Sequence, residues 1–312
     1  MKIKKILPII GIALFLYILI RLDISRVFNE IVHIKLNYLG FVVFLVFLFL
    51  IIQTIKWFVI ARVQKIKVPF AKAFKINIIS AFYSFITPSK LGGIIRADYL
   101  RKYNSGNLGK GVSNFVIDKI LDLCSLVFIV IVVLTLFKNV LPIHYLYYSL
   151  MLLVFLLIFI LILRDEKKTK FLLGAAYKKL VPEKIKEKTR QGLHSFYENM
   201  PKKRYFILFF LINLFNWVYL YTIMFFIGLS LGINVSYFYF LAILPVSTLI
   251  GQIPITINGL GTREAVMISL FGLLHVEAAK VFSMSILGMI IIEILPLIFG
   301  GFLLFKDKEK LI

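Results

Sequence analysis

Long apolar runs constrain this chain more than any other feature of its sequence. A helix that crosses a bilayer needs about 20 apolar residues, and several runs here are of that length. Hydrophobic residues make up 61% of the chain and the mean hydropathy is +0.94, whereas soluble domains are about half apolar. We therefore predict an all-α, polytopic integral membrane protein. Six full transmembrane helices are expected at residues 6–22, 38–60, 112–137, 145–163, 205–227 and 281–305.

The basic residues lie mostly in the segments that connect these runs. A formal net charge of +22 would suggest nucleic-acid binding in a soluble chain, but the positive-inside rule accounts for it here. We predict a plasma-membrane protein with both termini in the cytoplasm and no nucleic-acid partner. Residues 164–204 are expected to form a basic cytoplasmic loop with amphipathic helices against the anionic inner leaflet. Residues 23–37 are predicted to hold an interfacial helix, and 1–312 to form a single transmembrane domain.

Two stretches place helix-breaking residues inside apolar sequence. The stronger one contains Pro254, which lacks a backbone donor, and Gly259 and Gly261, which permit backbone angles that other residues resist. Arg263 and Glu264 follow and add two charges. Because lipid tolerates broken backbone and charge only where they are buried in protein or face a watery cavity, we predict a broken, re-entrant hairpin that lines an internal site.

The other stretch has a similar order of residues. Pro88 ends an apolar helix, Gly92 and Gly93 follow, and Arg96 stands close to the carboxylate of Asp98. Two interpretations stay open: an internal repeat of the kind seen in transporters, or a chance similarity. The spans predict that one hairpin is entered from the cytoplasm and the other from outside, so the two broken hairpins face opposite ways.

Arg263 and Glu264 carry the strongest candidate site. They form either an ion pair that stabilises a broken helix or a lipid head-group site, in which Arg263 binds phosphate with its planar fork. Free N–H groups at the helix start after Gly261 would add attraction for an anion. The same two interpretations apply to the first hairpin. The complete set of predicted head-group residues is Arg263, Glu264, Asn258, Arg96, Asp98 and Lys90.

Further charges lie within the apolar runs themselves. Asp118 and Asp122 are four residues apart and share one helix face, with Lys119 beside it. They are either a carboxylate face for a cation or a proton, or structural partners of Lys119 and Arg96. Glu293 lies mid-span and needs a partner, because a lone carboxylate there is costly.

Two other residues near a span end are assigned ordinary roles. Lys56 is predicted to snorkel from the last turns of its helix towards the interface. Trp57 is predicted to be an interface or packing residue.

The sequence offers no constellation for covalent chemistry. There is no nucleophile–base pair, no phosphate-cradling loop and no metal-ligand spacing, and Cys124 is the only cysteine. We therefore predict no cofactor, no metal and no enzymatic activity.

At these stretches the sequence resembles the flippase-like membrane family, whose type member is the transmembrane domain of lysylphosphatidylglycerol synthase. The family's first motif is Pro, three residues, Gly-Glu, two residues, Arg, and Gly93 stands here where Glu is usual. A second motif, Glu-Arg-x-x-Asp, is matched with conservative changes, and the third, Pro-x-x-x-x-Gly-Leu-Gly-x-Arg-Glu, is matched fully. The matching residues are Pro88, Gly92 and Arg96, then Asp118, Lys119 and Asp122, then Pro254, Gly259, Leu260, Gly261, Arg263 and Glu264.

The resemblance implies a protein that moves lipids between leaflets. The chain ends after its last span, so the aminoacyl-transferase domain of the synthases is not expected. Our first hypothesis is a translocase without an ATPase that acts on an anionic or isoprenoid-linked lipid. The second is a non-catalytic membrane partner that docks a separate enzyme through residues 164–204, and a homo-oligomer is compatible with both. A third, an intramembrane enzyme that uses Asp118 and Asp122, lacks a nucleophile.

Overall fold

A computed structural model describes residues 3–106, 108–136, 144–163, 196–197, 200–253, 256 and 259–306. Within these residues every regular element is a helix, as predicted. The predicted outer loop after residue 137, nearly all of the basic loop 164–204, and the predicted site residues Pro254 and Asn258 lie outside the described residues.

Each predicted span coincides with a helix. The helices are α1 (Ile3–Arg21), α2 (Ile24–Val32), α3 (Leu36–Val63), α4 (Phe70–Phe85), α5 (Ile95–Arg101), α6 (Leu108–Leu136), α7 (His144–Leu163), α8 (Lys203–Ser230), α9 (Tyr237–Gly251), α10 (Thr262–Gly272), α11 (Ala278–Gly288) and α12 (Leu295–Lys306). Among the described residues, α3, α6, α8 and the continuous stretch Ala278–Gly300 are long and apolar enough to cross a membrane. The all-α, polytopic class is therefore confirmed.

The chain folds into two compact units. The first comprises Met1–Gln53, Phe74–Gly93 and Asn216–Ile312, and the second comprises Thr54–Ala73 and Ile94–Phe215. In the first unit, the predicted interfacial helix is α2. It begins where the Asp23 side chain accepts a hydrogen bond from the Ser25 amide at 3.0 Å, and it buries Val27 against Ala279 and Phe282.

The first break, also in the first unit, is a 3₁₀ segment, Pro88–Ile94, that folds back on the end of α4. The Thr87 hydroxyl donates to the Tyr83 carbonyl at 2.9 Å and accepts from the Gly92 amide at 2.7 Å. Any side chain at Gly92 would collide with the Tyr83 carbonyl. The Ser80 hydroxyl donates to the Gly93 carbonyl at 2.9 Å, so the turn is bonded to α4 at two levels.

The second break lies between α9 and α10 of the first unit. Gly259 and Gly261 have φ of +75° and +82°, the left-handed region that favours glycine. A Cβ on Gly259 would lie 2.7 Å from the Gly251 Cα, so the chain turns tightly against the end of α9. The Gly261 amide then donates to Glu264 Oε2 at 2.6 Å, which caps α10. Both predicted helix breaks are present, and their entry into a bilayer stays a prediction.

In the second unit α5 packs closely on α6. A Cβ on Gly111 would lie 2.6 Å from the Ala97 carbonyl oxygen, so only glycine permits this approach. Ile117 and Leu121 of α6 pack with Ile60 of α3 and Phe209 of α8 in a buried apolar cluster. This packing sets α3, α5 and α6 side by side and brings their charged residues together.

Candidate functional site

Four charged side chains form a buried cluster in the second unit, which we call the four-charge cluster. Lys56 of α3 places its Nζ 2.8 Å from Asp122 Oδ1 and 3.4 Å from Asp118 Oδ1. Arg96 of α5 donates from Nη2 to Asp118 Oδ2 at 3.0 Å. The four side chains are only 5–12% exposed. Because two cations balance two anions, the cluster avoids the cost of an unpaired buried charge.

Aromatic rings enclose the Arg96 guanidinium. Its central carbon lies 4.8 Å from the centroid of the Trp57 ring and 5.6 Å from that of Phe115, and both distances are in the cation–π range. Asn114 donates to the Trp57 carbonyl at 3.2 Å. Arg96 is thus held by a carboxylate and two aromatic rings of the protein itself.

A second charged site lies in the first unit, where α10 meets α11. Arg263 donates to Glu264 Oε1 from Nε at 3.1 Å and from Nη2 at 3.0 Å, and Nη2 also donates to the Ser285 hydroxyl at 3.2 Å. Ser285 donates to Glu264 Oε1 at 2.6 Å. The Glu264 side chain is 1% exposed, but that of Arg263 is 21% exposed. The carboxylate is therefore fully enclosed, while part of the guanidinium stays accessible.

The accessible part of Arg263 faces a small cavity in the first unit, about 60 Å³ in volume. Glu293 is the other charged residue in its lining, and Ser247, Thr248 and Ser285 bring hydroxyl groups. The rest of the wall is mainly apolar and includes Met224, Met267 and Met289. Mainly apolar walls with a few convergent polar groups are typical of a ligand site, and the volume here is below the roughly 300–1,000 Å³ of sites for drug-sized ligands.

Glu293 lies in an unusual helical turn at this cavity. Met289–Ile294 form a π-helical segment between α11 and α12, and such segments are frequent at functional sites. Lys90 of the 3₁₀ segment donates to Glu293 Oε1 at 3.0 Å. Lys90 itself has a φ of +56°, a strained value for a residue with a side chain. The pair is more exposed than the others, at 44% for Lys90 and 18% for Glu293.

Comparison with known proteins covers nearly all of these elements. Residues 7–300 match the family described as the lysylphosphatidylglycerol synthase TM region. The chain belongs to this family. It is 25% identical to a UPF0104 membrane protein of Pyrococcus horikoshii over 99% of this chain and 98% of the relative. A UPF0104 membrane protein of Methanocaldococcus jannaschii is 27% identical over 99% of both chains.

In this family member, the three charged residues that the sequence analysis assigned to the first hairpin are each bound differently. Lys90, Arg96 and Asp98 have three different partners. Asp98 accepts from Arg101 at 3.2 Å in an exposed pair, because residues two apart on a helix point about 200° apart. The three side chains therefore have separate partners, and their predicted role in binding a head group stays a prediction.

Sequence reasoning also missed one member of the four-charge cluster, Lys56, and the contact that Trp57 makes with another member. Lys56 does not snorkel: it is 7% exposed and pairs with both carboxylates. Trp57 is completely buried and packs on Arg96. The predicted pairing of Asp118 with Arg96 is confirmed, whereas Lys119 is half-buried and follows Asp118 about 100° further round the helix. The sequence did contain a signal for the burial of Lys56, since this lysine lies seven residues before the end of a 28-residue helix.

Proposed function

We propose that this member of the lysylphosphatidylglycerol synthase TM region family is a lipid translocase. It moves an anionic or isoprenoid-linked lipid between the leaflets of the cell membrane, with the head group bound at Arg263. The observation that carries the proposal is a partly exposed guanidinium in the wall of a mainly apolar cavity. A lipid needs this combination, because its head group and its chains must both be accommodated.

The charges around Arg263 support binding of an anion that can leave again. Glu264 compensates the guanidinium charge from within the protein, so this compensation does not depend on a ligand. Guanidinium is the group best matched to a phosphate, because it forms two parallel hydrogen bonds. Ionisable residues inside membrane proteins mark pathways of substrates and ions more often than not.

Proteoliposomes with a fluorescent lipid in one leaflet test this function. R263Q/E264Q removes both charges together, so no buried charge is left without a partner. We expect this variant to fold and to move lipid about tenfold or more slowly, the loss typical of a charge-assisted contact. R101A removes an arginine from an exposed Arg–Asp pair and should keep the wild-type rate. Wild-type movement by folded R263Q/E264Q would contradict the proposal.

The alternative function is that of a membrane partner for a separate enzyme. The basic composition of residues 164–204 favours it, since a basic segment attracts acidic surfaces as well as anionic lipid. Neutralising the lysines of this segment separates the two functions. Loss of a co-purifying enzyme with unchanged lipid movement in proteoliposomes would support the partner, and a changed rate without a lost partner would support the translocase.

A further inference from the structure

Two segments of the chain repeat the same order of elements at a fixed distance in sequence. The helices α3, α4 and α5 begin at residues 36, 70 and 95, and α8, α9 and α10 begin at 203, 237 and 262. Each pair of starts therefore differs by 167 residues. The spans that follow, α6 and α11, begin at 108 and 278, within three residues of the same offset. The unit of span, broken hairpin and span thus occurs twice.

Residues and contacts recur at this offset as well. The two breaks are built alike, since Gly92 and Gly259 each lie against the backbone at the end of the preceding helix. Each hairpin arginine donates to a residue 22 positions later on the following span, Arg96 to Asp118 and Arg263 to Ser285. The identical pairs at the 167-residue offset include Ser80 and Ser247, Gly92 and Gly259, Arg96 and Arg263, and Phe115 and Phe282.

We call α3 to α6 the first copy and α8 to α11 the second copy. Several residues that line the cavity in the second copy stand at positions equivalent to those of the four-charge cluster in the first copy. Ser285 stands at the position of Asp118, and Met289 at that of Asp122. Met224 replaces Trp57 in the same way, and Ile223 replaces Lys56. The first copy fills its positions with carboxylates, an ammonium and an indole. In the second copy Ser285, Met289 and Met224 line the cavity instead.

We infer that the ligand supplies in the second copy what the protein supplies in the first. Its acidic group binds the cavity side of Arg263 next to Ser285, as the Asp118 carboxylate binds Arg96. Its apolar body lies along Met224 and Met289. The ligand class is an amphiphile whose phosphate ester adjoins its apolar part. This assignment rests on the proposed function, and it makes Ser285 and Met224 the residues that determine specificity.

Glu264 explains how the second copy keeps its arginine without an Asp118 equivalent. It stands at the position of Ala97 and binds Arg263 from the same helix, through Nε and Nη2. The guanidinium side that faces the cavity is left open, so the Arg263 side chain is 21% exposed whereas that of Arg96 is 5% exposed. Moving the carboxylate from residue 264 to residue 285 should therefore close the site.

The variant E264A/S285D moves the carboxylate in this way and leaves the net charge unchanged. It gives the second copy the alanine and the aspartate that the first copy has at residues 97 and 118. The readout is the thermal unfolding of protein in nanodiscs of phosphatidylcholine with or without phosphatidylglycerol. We expect phosphatidylglycerol to raise the Tm of the wild type and to have no effect on E264A/S285D. The control E277A/S269D makes the same two substitutions at exposed positions and should keep the wild-type shift. A wild-type shift in E264A/S285D would overturn the inference.

A second variant keeps the test decisive if E264A/S285D does not fold. M224W places a tryptophan where the first copy has Trp57, and its indole ring fills the apolar side of the cavity. We expect it to weaken the apparent affinity for phosphatidylglycerol about tenfold, and an unchanged affinity would overturn the inference.

Inorganic phosphate distinguishes the sources of the anion: a wild-type Tm shift equal to that with phosphatidylglycerol would show a free-anion site and also overturn the inference. The expected Tm shifts together with no lipid movement in proteoliposomes would leave the inference standing and refute the translocase.

Discussion

At the scale of single residues, burial decides what an ion pair is worth. Lys56 and Lys90 both bind carboxylates at 3.0 Å or less, yet their side chains are 9% and 44% exposed. Removing one partner of a buried pair leaves an uncompensated charge, whereas water replaces a lost partner at an exposed pair. The sequence did not show this difference, because α3 is apolar on all sides and no hydrophobic face indicates which side chains point inward.

These two lysines give a matched prediction of stability. K56M should lower the free energy of unfolding by about 3–5 kcal/mol, and K90M by about 0.2–1 kcal/mol. K56M/D122N, which removes a cation and an anion together, should recover most of the loss. Thermal unfolding of detergent-solubilised protein followed by size-exclusion chromatography measures all three. Equal losses for K56M and K90M would show that the four-charge cluster does not hold the second unit together.

At the scale of elements, helix breaks were the most predictable feature of the fold. Proline and glycine located both of them from the sequence, since these residues act on the backbone itself. The partners of the charged side chains were less predictable, because they depend on which helices meet. Arg96 pairs with Asp118, 22 residues away, and Lys56 pairs with Asp122, 66 residues away. Sequence spacing finds neighbours within one helix: it placed Asp98 close to Arg96, and it left the pairing of Arg96 with Asp118 as one of two open interpretations.

The first break gives a prediction at this scale. G92A should destabilise the protein by about 1–3 kcal/mol, the usual effect of overpacking, because the added methyl group meets the Tyr83 carbonyl. G40A is the control, since a Cβ at residue 40 has no neighbour within 4 Å. The Tm of each purified variant measures the effect. A wild-type Tm for G92A would mean that the 3₁₀ segment does not turn back on α4 as described.

At the scale of the whole molecule, the 167-residue repeat relates the four-charge cluster, which the protein's own side chains fill, to the cavity at Arg263. At the two hairpins, where prolines and arginines are visible by inspection, the sequence left open both an internal repeat and a chance similarity. In the flanking spans the repeat is hard to recognise from the sequence, because long apolar helices resemble one another in composition. Within these spans the copies differ at Asp118 and Ser285 and at Asp122 and Met289, and these differences acquire meaning only once the cavity is known.

The balanced four-charge cluster has an electrical consequence. Moving one elementary charge across a membrane potential of 100 mV involves about 2.3 kcal/mol, but Lys56, Arg96, Asp118 and Asp122 sum to zero. The Arg263–Glu264 and Lys90–Glu293 pairs are also neutral. If these groups move during transport, the protein contributes no gating charge through them. The voltage dependence of lipid movement would then contain no contribution from these groups.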